Sequence, residues 1–204
     1  MTLETNFISK FGKNLNINVS LSSYSWFNLG GNAEYFYKAK DKFELIDFLK
    51  EAKKKNLKIT ILGAGSNTLF RDKGVRGVVI KLGKEFSFIK KIGEDVLEVG
   101  AATLDRKVAN FAKENNLKNL EFLSCIPGSI GGAVIMNTGC YDSDISNVLI
   151  SIKVFDKKKL EEKEIKKDDI KFYYRGTNLS DNFIILSAKL KGSIGNKDEI
   201  EKIQ

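Results

Sequence analysis

The sequence predicts an α+β fold with two subdomains, and three observations support this prediction. Candidate strands alternate with helices in the first part of the chain. The later strands instead follow one another as hairpins, and such a mixture is typical of α+β proteins. The length of 204 residues suffices for one large domain or two small ones with ample core. We expect the boundary near Leu82 to Lys84, with lobes at residues 1–83 and 84–195.

The first subdomain is predicted to contain a β-α-β unit. A leading helix or arm occupies residues 1–23, and a strand follows at Glu34 to Ala39. The next element is a helix from Asp41 to Asn56, in which Asp41 and Glu44 have the spacing of a capping box and apolar residues recur at helical spacing. The remaining strands predicted for this subdomain are Lys58–Leu62 and Gly77–Leu82.

The second subdomain is predicted to consist of hairpins around one amphipathic helix. Thr103 is expected to cap this helix, and Asn115-Asn116 is expected to close it. A last helix is expected to begin within Asp198–Gln204. The strands predicted for this part of the chain are Phe86–Lys91, Val96–Ala101, Val148–Phe155 and Phe183–Leu190.

A glycine-containing loop, here named the Gly63 loop, follows the strand that ends at Leu62 and reads Gly63-Ala64-Gly65-Ser66-Asn67-Thr68. Successive backbone N–H groups of such a loop can point at one anion, and its last three side chains add further donors. The glycine spacing matches neither a Rossmann fingerprint nor a P-loop. Taken alone, the loop indicates an anion site only weakly, and a plain tight turn is the alternative.

The stretch from Ser124 to Tyr141, here named the glycine-rich segment, holds the only proline of the chain and four of its glycines. It is too rich in glycine for an ordinary helix and too apolar for a solvated loop. Glycine lets the backbone approach a flat or anionic ligand where a Cβ would clash. We therefore expect a buried loop that wraps a large cofactor.

The composition excludes several classes of function. The net charge is +8, but Glu and Asp are interleaved with the lysines, so we expect no nucleic-acid partner. The chain has no histidine, and its two cysteines, Cys125 and Cys140, cannot fill a zinc site, so no metal is predicted. No apolar run approaches the roughly 20 residues of a membrane span, and the N-terminus lacks signal-peptide features. A cytoplasmic protein without a membrane partner is the expectation.

Four segments occur in a recognisable order between about Ser23 and Lys191. They are Trp26–Gly31, Gly63–Asn67, Ile126–Ala133 with Met136-Asn137, and Tyr174-Arg175. Together they resemble the bacterial UDP-N-acetylenolpyruvoylglucosamine reductase family, flavoenzymes that make UDP-N-acetylmuramate for peptidoglycan. The third segment is long and specific, whereas the first and last are weak on their own.

This resemblance implies a two-lobed FAD-binding fold of the vanillyl-alcohol-oxidase type, with FAD held noncovalently between the lobes. It also implies NADPH as hydride donor and a UDP-sugar enolpyruvate as substrate. The Gly63 loop would take the FAD pyrophosphate, and residues 129–139 would line the flavin and its phosphates. The FAD-binding residues implied in this way are Gly63, Ala64, Gly65, Ser66, Asn67, Thr68, Pro127, Gly128, Ser129, Gly131, Gly132, Asn137 and Gly139.

The resemblance further implies that Arg175 is catalytic and that Tyr174 and Arg175 bind substrate. Hydride addition to an enolpyruvyl double bond builds negative charge on the carboxylate side, and a fixed guanidinium stabilises such charge in a site shielded from water. A surface arginine that follows an aromatic strand end is the alternative for Arg175.

The chain also departs from the family in three places. Asn28 stands where many members carry a basic residue, and Cys140-Tyr141-Asp142 replaces a more usual Ala-Tyr-Gly. The family continues into a third lobe that carries a proton-donating serine and a late glutamate, and residues 196–204 are expected to begin the connection to it. Ser193 does not lie in the expected motif for that serine.

We therefore expect the chain to bind FAD but to turn over poorly by itself. Two alternatives remain: a noncatalytic FAD- or nucleotide-binding module, and another flavin oxidase with the same fold. Translation of the reading frame beyond Gln204 would discriminate them, because a Gly-Ser-x-Phe-Lys-Asn-Pro-like segment there would indicate the reductase.

Overall fold

The structure, a computed structural model, describes residues 3–197 and residue 200, with side chains from residue 7 onward. The chain divides into two compact units, a first unit of Met1–Glu85 and a second unit of Phe86–Gln204. The helix expected within Asp198–Gln204 lies, apart from Ile200, outside the described residues. None of the helices among the described residues is long and apolar enough to cross a membrane.

The first unit combines a four-stranded sheet with two helices. Strand β1 is antiparallel to β2, whereas β2, β4 and β3 run parallel, which gives the strand order β1-β2-β4-β3. Its elements are α1 (Leu3–Phe11), β1 (Leu15–Ser20), β2 (Asn32–Ala39), α2 (Lys42–Lys54), β3 (Ile59–Leu62) and β4 (Val75–Leu82).

Helix α2 forms as its sequence pattern predicts. The Glu44 N–H donates to Asp41 Oδ1 at 2.8 Å, which satisfies one of the free donors at the helix start. The helix buries Leu45, Phe48, Leu49 and Ala52, and the Phe48 ring stacks on the Tyr37 ring of β2 with centroids 3.7 Å apart. Burial of a face at helical spacing therefore fixes α2 against the sheet.

The N-terminal region contains more structure than the sequence predicts. The leading arm is helix α1 followed by β1, an edge strand with only Leu15 buried. Five of the six β1 side chains are exposed or half-buried, so the strand lacks the clear apolar alternation by which strands are recognised. Its partner is β2, and this pairing across the chain decides the structure of β1.

The second unit is built on a five-stranded antiparallel sheet with the strand order β11-β10-β14-β6-β5. Among the described residues up to Ile194, three pairs of two-residue strands and the helices α3, α4 and α5 complete it. In chain order its elements are β5 (Ile89–Lys91), β6 (Val96–Gly100), α3 (Asp105–Glu114), β7 (Leu117–Lys118), α4 (Ile130–Ile135), β8 (Gly139–Cys140), β9 (Ser143–Asp144), α5 (Ile145–Val148), β10 (Leu149–Asp156), β11 (Glu161–Lys166), β12 (Phe172–Tyr173), β13 (Gly176–Thr177), β14 (Phe183–Lys191) and β15 (Ser193–Ile194).

Two local predictions in the second unit are wrong. Thr103 does not cap α3, because Leu104 occupies the capping position and the Thr103 hydroxyl donates to the Phe88 carbonyl at 3.0 Å. The glycine-rich segment is not free of helix either, since Ile130–Ile135 forms α4 and includes Gly131 and Gly132. The end of α3 at Asn115 and the α+β class are confirmed.

Candidate functional site

The Gly63 loop begins where β3 ends, at the carboxyl end of a parallel strand. Gly65 has a φ of +80°, and a Cβ at this position would collide with the Tyr24 carbonyl oxygen. The Trp26 N–H donates to the Gly65 carbonyl at 3.1 Å, and the Ser25 hydroxyl donates to the Thr68 carbonyl at 2.7 Å. Residues 24–26 thus hold the shape of the loop, and only glycine fits at position 65.

Lys81 of β4 also holds this loop. Its Nζ donates to the Gly63 carbonyl at 2.6 Å, and the side chain is half-buried. Burial lowers the pKa of Lys81, and the charge of Lys38 acts in the same direction from the paired position on β2. No local sequence pattern indicates Lys81, because its contact with Gly63 spans 18 positions.

The Gly63 loop uses its carbonyl groups for contacts within the first unit, and its backbone N–H groups are available to an anion. The carbonyls of Gly63, Gly65 and Thr68 all accept hydrogen bonds from other parts of the first unit. Among the described residues, none accepts a hydrogen bond from the backbone N–H groups of residues 64–67. A cavity of about 520 Å³ beside the loop is lined by Ser23, Tyr24, Ser25, Trp26, Asn28, Ala64 and Lys81. Free N–H donors beside a lysine fit a diphosphate.

In the second unit, the glycine-rich segment is hydrogen-bonded to the turn between β6 and α3. The Gly131 N–H donates to the Ala101 carbonyl at 2.9 Å, and the Ile130 N–H donates to the Thr103 carbonyl at 3.0 Å. A Cβ on Gly131 would lie 3.1 Å from the Ala101 Cβ. This close approach explains a glycine inside α4. In contrast, a Cβ on Gly132 would meet only the Ser129 Oγ, at 3.8 Å, so the protein leaves space there.

Asp105 lies at the start of α3, under Gly128. Its N–H donates to the Gly128 carbonyl at 3.2 Å, and a Cβ on Gly128 would collide with the carboxyl group. The side chain is fully buried, and neither carboxyl oxygen has a hydrogen-bond partner in the part of the chain that the structure describes. Burial raises the pKa of Asp105 to about 8, so the neutral acid predominates at neutral pH.

Asn137 joins three parts of the second unit. Its backbone is left-handed, with a φ of +41°. Its side-chain amide donates to Asp144 Oδ2 at 3.1 Å and to the Tyr173 carbonyl at 3.4 Å, and its Oδ1 accepts from the Ser146 N–H at 3.0 Å. These bonds direct the amide into the protein. Asn137 therefore positions neighbouring segments of the second unit, including the strand that contains Tyr173.

The predicted substrate residues lie in the two-residue turn between β12 and β13. Tyr174 is 93% exposed, and the Arg175 guanidinium lies 5.7 Å from its ring centroid. Arg175 has a φ of +59°, an uncommon conformation for a residue with a side chain. Asn137 holds one strand of this hairpin, and the Thr177 hydroxyl holds the other by donating to the Ile135 carbonyl at 3.3 Å.

The same region contains both cysteines. Burial and the Cys125 thiol raise the pKa of Cys140, whereas the charge of Arg175 acts in the opposite direction. The structure thus brings together the predicted residues of the second unit, whereas the Gly63 loop belongs to the first unit.

The remaining predicted residues differ in their environments. Pro127 is exposed, Ser129 is buried at the start of α4, and a Cβ on Gly139 would lie 2.6 Å from the Ser143 carbonyl oxygen. Ala64, Ser66 and Thr68 are half-buried, and Asn67 is exposed. Gly139, like Gly128, is thus required by the protein's own packing, whereas Pro127, Gly132 and Asn67 offer surface to a ligand.

Comparison with known families identifies the class of protein that this arrangement represents. A family model described as "FAD binding domain" matches residues 33–159, from β2 through the glycine-rich segment to the turn after β10. The chain therefore belongs to the FAD binding domain family. The match spans both the Gly63 loop and the glycine-rich segment, in which the sequence analysis expected an FAD site.

Curated relatives define the resemblance more closely. The chain is 43% identical over 195 residues to the UDP-N-acetylenolpyruvoylglucosamine reductase of Pelagibacter ubique, covering 96% of this chain and 64% of that protein. It is 42% identical over 181 residues to the enzyme of the same name from Rickettsia felis, covering 89% of this chain and 60% of that protein. The resemblance inferred from four motifs is confirmed, and the chain spans about three-fifths of these relatives' length.

Solved structures agree with this assignment. The UDP-N-acetylenolpyruvylglucosamine reductase of Thermus caldophilus superposes with a TM-score of 0.80 at 29% identity, over 93% of this chain and 66% of that one. An alkyldihydroxyacetonephosphate synthase superposes with a TM-score of 0.66 at 11% identity, which shows a shared fold only. The predicted FAD-binding fold of the vanillyl-alcohol-oxidase type is confirmed.

Proposed function

We propose that these residues form the FAD-binding part of a cytoplasmic, NADPH-dependent reductase of peptidoglycan precursor synthesis, which converts UDP-N-acetylglucosamine enolpyruvate to UDP-N-acetylmuramate. The names and identities of the relatives support the reaction. The observation that carries the proposal is the attachment of the Tyr174-Arg175 turn to the glycine-rich segment through Asn137 and Thr177. This attachment supports the proposal because it ties the turn that carries Arg175 to the glycine-rich segment.

The Gly63 loop would hold the FAD diphosphate through the N–H groups of residues 64–67. Lys81 keeps the Gly63 carbonyl turned away from the anion and adds positive charge beside it. In the second unit, Gly132 leaves room for a flat ring system, and Asn137 fixes the backbone that follows α4. When bound, FAD supplies the two-electron chemistry that carries a hydride from NADPH to the substrate.

Arg175 would bind the substrate carboxylate together with Tyr174 and stabilise the negative charge that develops there. A guanidinium suits this role because it stays charged and offers several N–H donors in one plane. The left-handed backbone at Arg175 fixes the direction in which the side chain leaves the turn. Strained backbone of this kind is often retained where function requires it.

Two glycine-to-alanine variants, one at the proposed site and one control, test the FAD site without relying on activity. Gly132→Ala adds a methyl group where the protein has space, so the variant should fold with unchanged or higher stability. If the isoalloxazine ring lies over Gly132, FAD affinity should fall at least about tenfold. Gly93→Ala, whose added Cβ makes only ordinary contacts with Val96, is the matched control. The affinity is measured by quenching of FAD fluorescence, and equal affinity in both variants would remove Gly132 from the site.

The role of Arg175 is tested by substitution to Lys and to Ala in the complete reductase. We expect substrate to reoxidise the reduced flavin at least about 100-fold more slowly in Arg175→Ala, because transition-state charge loses its partner. Reduction by NADPH should change little. Arg76→Ala, an exposed arginine of β4, is the control. Unchanged reoxidation in both Arg175 variants would refute the catalytic role.

A noncatalytic FAD-binding module is the second candidate, and the exposure of the hairpin tip favours it. Tyr174 is 93% exposed, and Arg175 is exposed beside it. The two candidates differ in one measurement on the purified, FAD-loaded protein encoded by the complete reading frame. Rapid reduction of the bound flavin by NADPH supports the reductase, whereas FAD binding without reduction supports the module.

A further inference from the structure

Both cysteines of the chain lie at the ends of the glycine-rich segment. Cys125 ends a 3₁₀ turn of residues 121–125 that packs against β8, and β8 carries Cys140. The side chains of Cys125 and Cys140 interact directly. Cys125 is exposed and Cys140 is half-buried, so the pair is accessible from one side. No role in the proposed reaction uses either thiol.

Two hydroxyl groups lie beside the exposed Cys125 thiol. The Ser124 hydroxyl lies 3.6 Å from Cys125 Sγ, and the Tyr141 hydroxyl also interacts with the Cys125 side chain. Tyr141 is positioned by the tight turn between β8 and β9, in which Tyr141 and Asp142 have φ values of +51° and +59°. Burial raises the pKa of Cys140, and the charge of Arg175 in the neighbouring hairpin acts in the opposite direction.

We propose that Cys125 and Cys140 form a peroxide-sensitive modification site, at which oxidation joins them in a disulfide that closes residues 126–139 into a loop. The exposed Cys125 is the thiol that meets the oxidant, and Cys140 is the resolving thiol beside it.

The oxidant is hydrogen peroxide or an alkyl hydroperoxide. The Cys125 thiolate attacks the terminal peroxide oxygen, the O–O bond breaks, and water or alcohol leaves after taking up a proton. Cys140 then attacks the sulfur of the resulting sulfenic acid, and hydroxide leaves as water with the Cys140 proton. Two thiols and one hydrogen peroxide give one disulfide and two waters. A dithiol reductant returns both thiols by exchange.

The loop closed in this way contains Gly132, which the proposed function assigns to the flavin, and Asn137, which it assigns to fixing the backbone after α4. A disulfide between its ends restricts the backbone movements available to α4 and the residues around it. We therefore expect the disulfide to change FAD affinity at least about threefold, an effect that rests on the proposed function.

The thiol chemistry is tested on the purified chain with hydrogen peroxide as the probe. After treatment, the protein is alkylated under denaturing conditions and measured by intact mass and by peptide mapping. We expect both alkylation sites to be lost together, a monomeric product two hydrogen atoms lighter, and a peptide pair linked through Cys125 and Cys140. Dithiothreitol should restore both sites. Cys140→Ser should instead accumulate sulfenic acid at Cys125.

Three results would overturn the site: two thiols that remain alkylatable after peroxide, a disulfide between chains, or independent overoxidation of each cysteine. The FAD titration is a separate arm, run on oxidised and reduced wild-type protein with Cys140→Ser as control. Equal affinity in the presence of the disulfide would refute the coupling to FAD. A chain that forms the disulfide but binds no FAD in either state would refute the proposed function and leave the modification site standing.

Discussion

Asp105 shows how a single buried group ties stability to pH. Its carboxyl is fully buried beneath Gly128, and burial raises its pKa from 3.8 to about 8. The unfolded chain releases this proton near the ordinary value, whereas the folded chain keeps it until near pH 8. Between these values the unfolded state binds fewer protons, so the free energy of unfolding falls as pH rises. For each pH unit by which the pH rises in this window, the free energy of unfolding falls by up to about 1.4 kcal/mol.

Asp105→Asn should remove this dependence. The amide has nearly the same shape as the carboxyl but does not titrate, so its free energy of unfolding should vary less between pH 5 and pH 7.5. Between pH 5 and pH 7.5, the free energy of unfolding of the variant relative to that of wild type should rise by at least about 1 kcal/mol. Urea unfolding of both proteins at several pH values measures the difference. Parallel pH profiles would show that Asp105 titrates normally in the folded state.

A second prediction at the residue scale concerns Lys81. Its bond to the Gly63 carbonyl involves a charged donor, and such bonds contribute roughly 1.5–3 kcal/mol. Lys81→Met removes this support and the positive charge beside the Gly63 loop, so FAD affinity should fall about tenfold or more. Lys38→Met is the control, since Lys38 is the exposed neighbour in register on β2. Equal losses in the two variants would indicate a general charge effect instead of loop positioning.

At the scale of elements, the β12–β13 hairpin depends on two side-chain hydrogen bonds to another part of the second unit. Asn137 and Thr177 are the side chains that tie the hairpin to the residues of and after α4. The hairpin itself has only two paired positions, which give little stability without such anchors. The position of Arg175 therefore follows from contacts that lie outside its own element.

Substitution of Asn137 tests this dependence. Asn137→Ala and Asn137→Gly both remove the side-chain hydrogen bonds, which should cost roughly 2–4 kcal/mol of unfolding free energy. Ala should cost about 1 kcal/mol more than Gly, because the φ of +41° strains a residue with a Cβ. In both variants trypsin should cleave after Arg175 faster than in wild type. Equal stability of the Ala and Gly variants would argue against backbone strain, and unchanged cleavage would argue against anchoring.

Elements with strong local signals could be predicted from the sequence, and elements decided by distant contacts could not. Helix α2 could be predicted from Asp41, Glu44 and the helical spacing of its apolar residues. The Gly63 loop could be predicted because it follows an apolar strand. Helix α4 was not predictable, since Gly131 inside it is required by the approach of Ala101, which is a tertiary contact. The burial of Asp105 and the bond from Lys81 likewise arise from tertiary packing, which leaves no periodic pattern in the sequence.

At the scale of the whole molecule, the proposed FAD-binding residues are divided between two compact units. The Gly63 loop belongs to the first unit, whereas the glycine-rich segment and Arg175 belong to the second. In the proposed function, the Gly63 loop would take the diphosphate of FAD, and residues of the glycine-rich segment would line the flavin. The net charge of +8 adds a general attraction for an anionic cofactor.

Binding of FAD should therefore stabilise the folded chain more than binding of FMN does. A ligand at about 100 times its Kd adds about 2.7 kcal/mol, which for a chain of this size raises Tm by roughly 5–10 °C. FMN carries the same isoalloxazine ring without the adenylate half, so at equal concentration it cannot engage the Gly63 loop with a diphosphate and should shift Tm less. Differential scanning fluorimetry with a dye that does not overlap flavin emission measures both shifts. Equal shifts for the two ligands would mean that the second unit alone recognises the cofactor, and Lys81→Met should then leave the FAD shift unchanged.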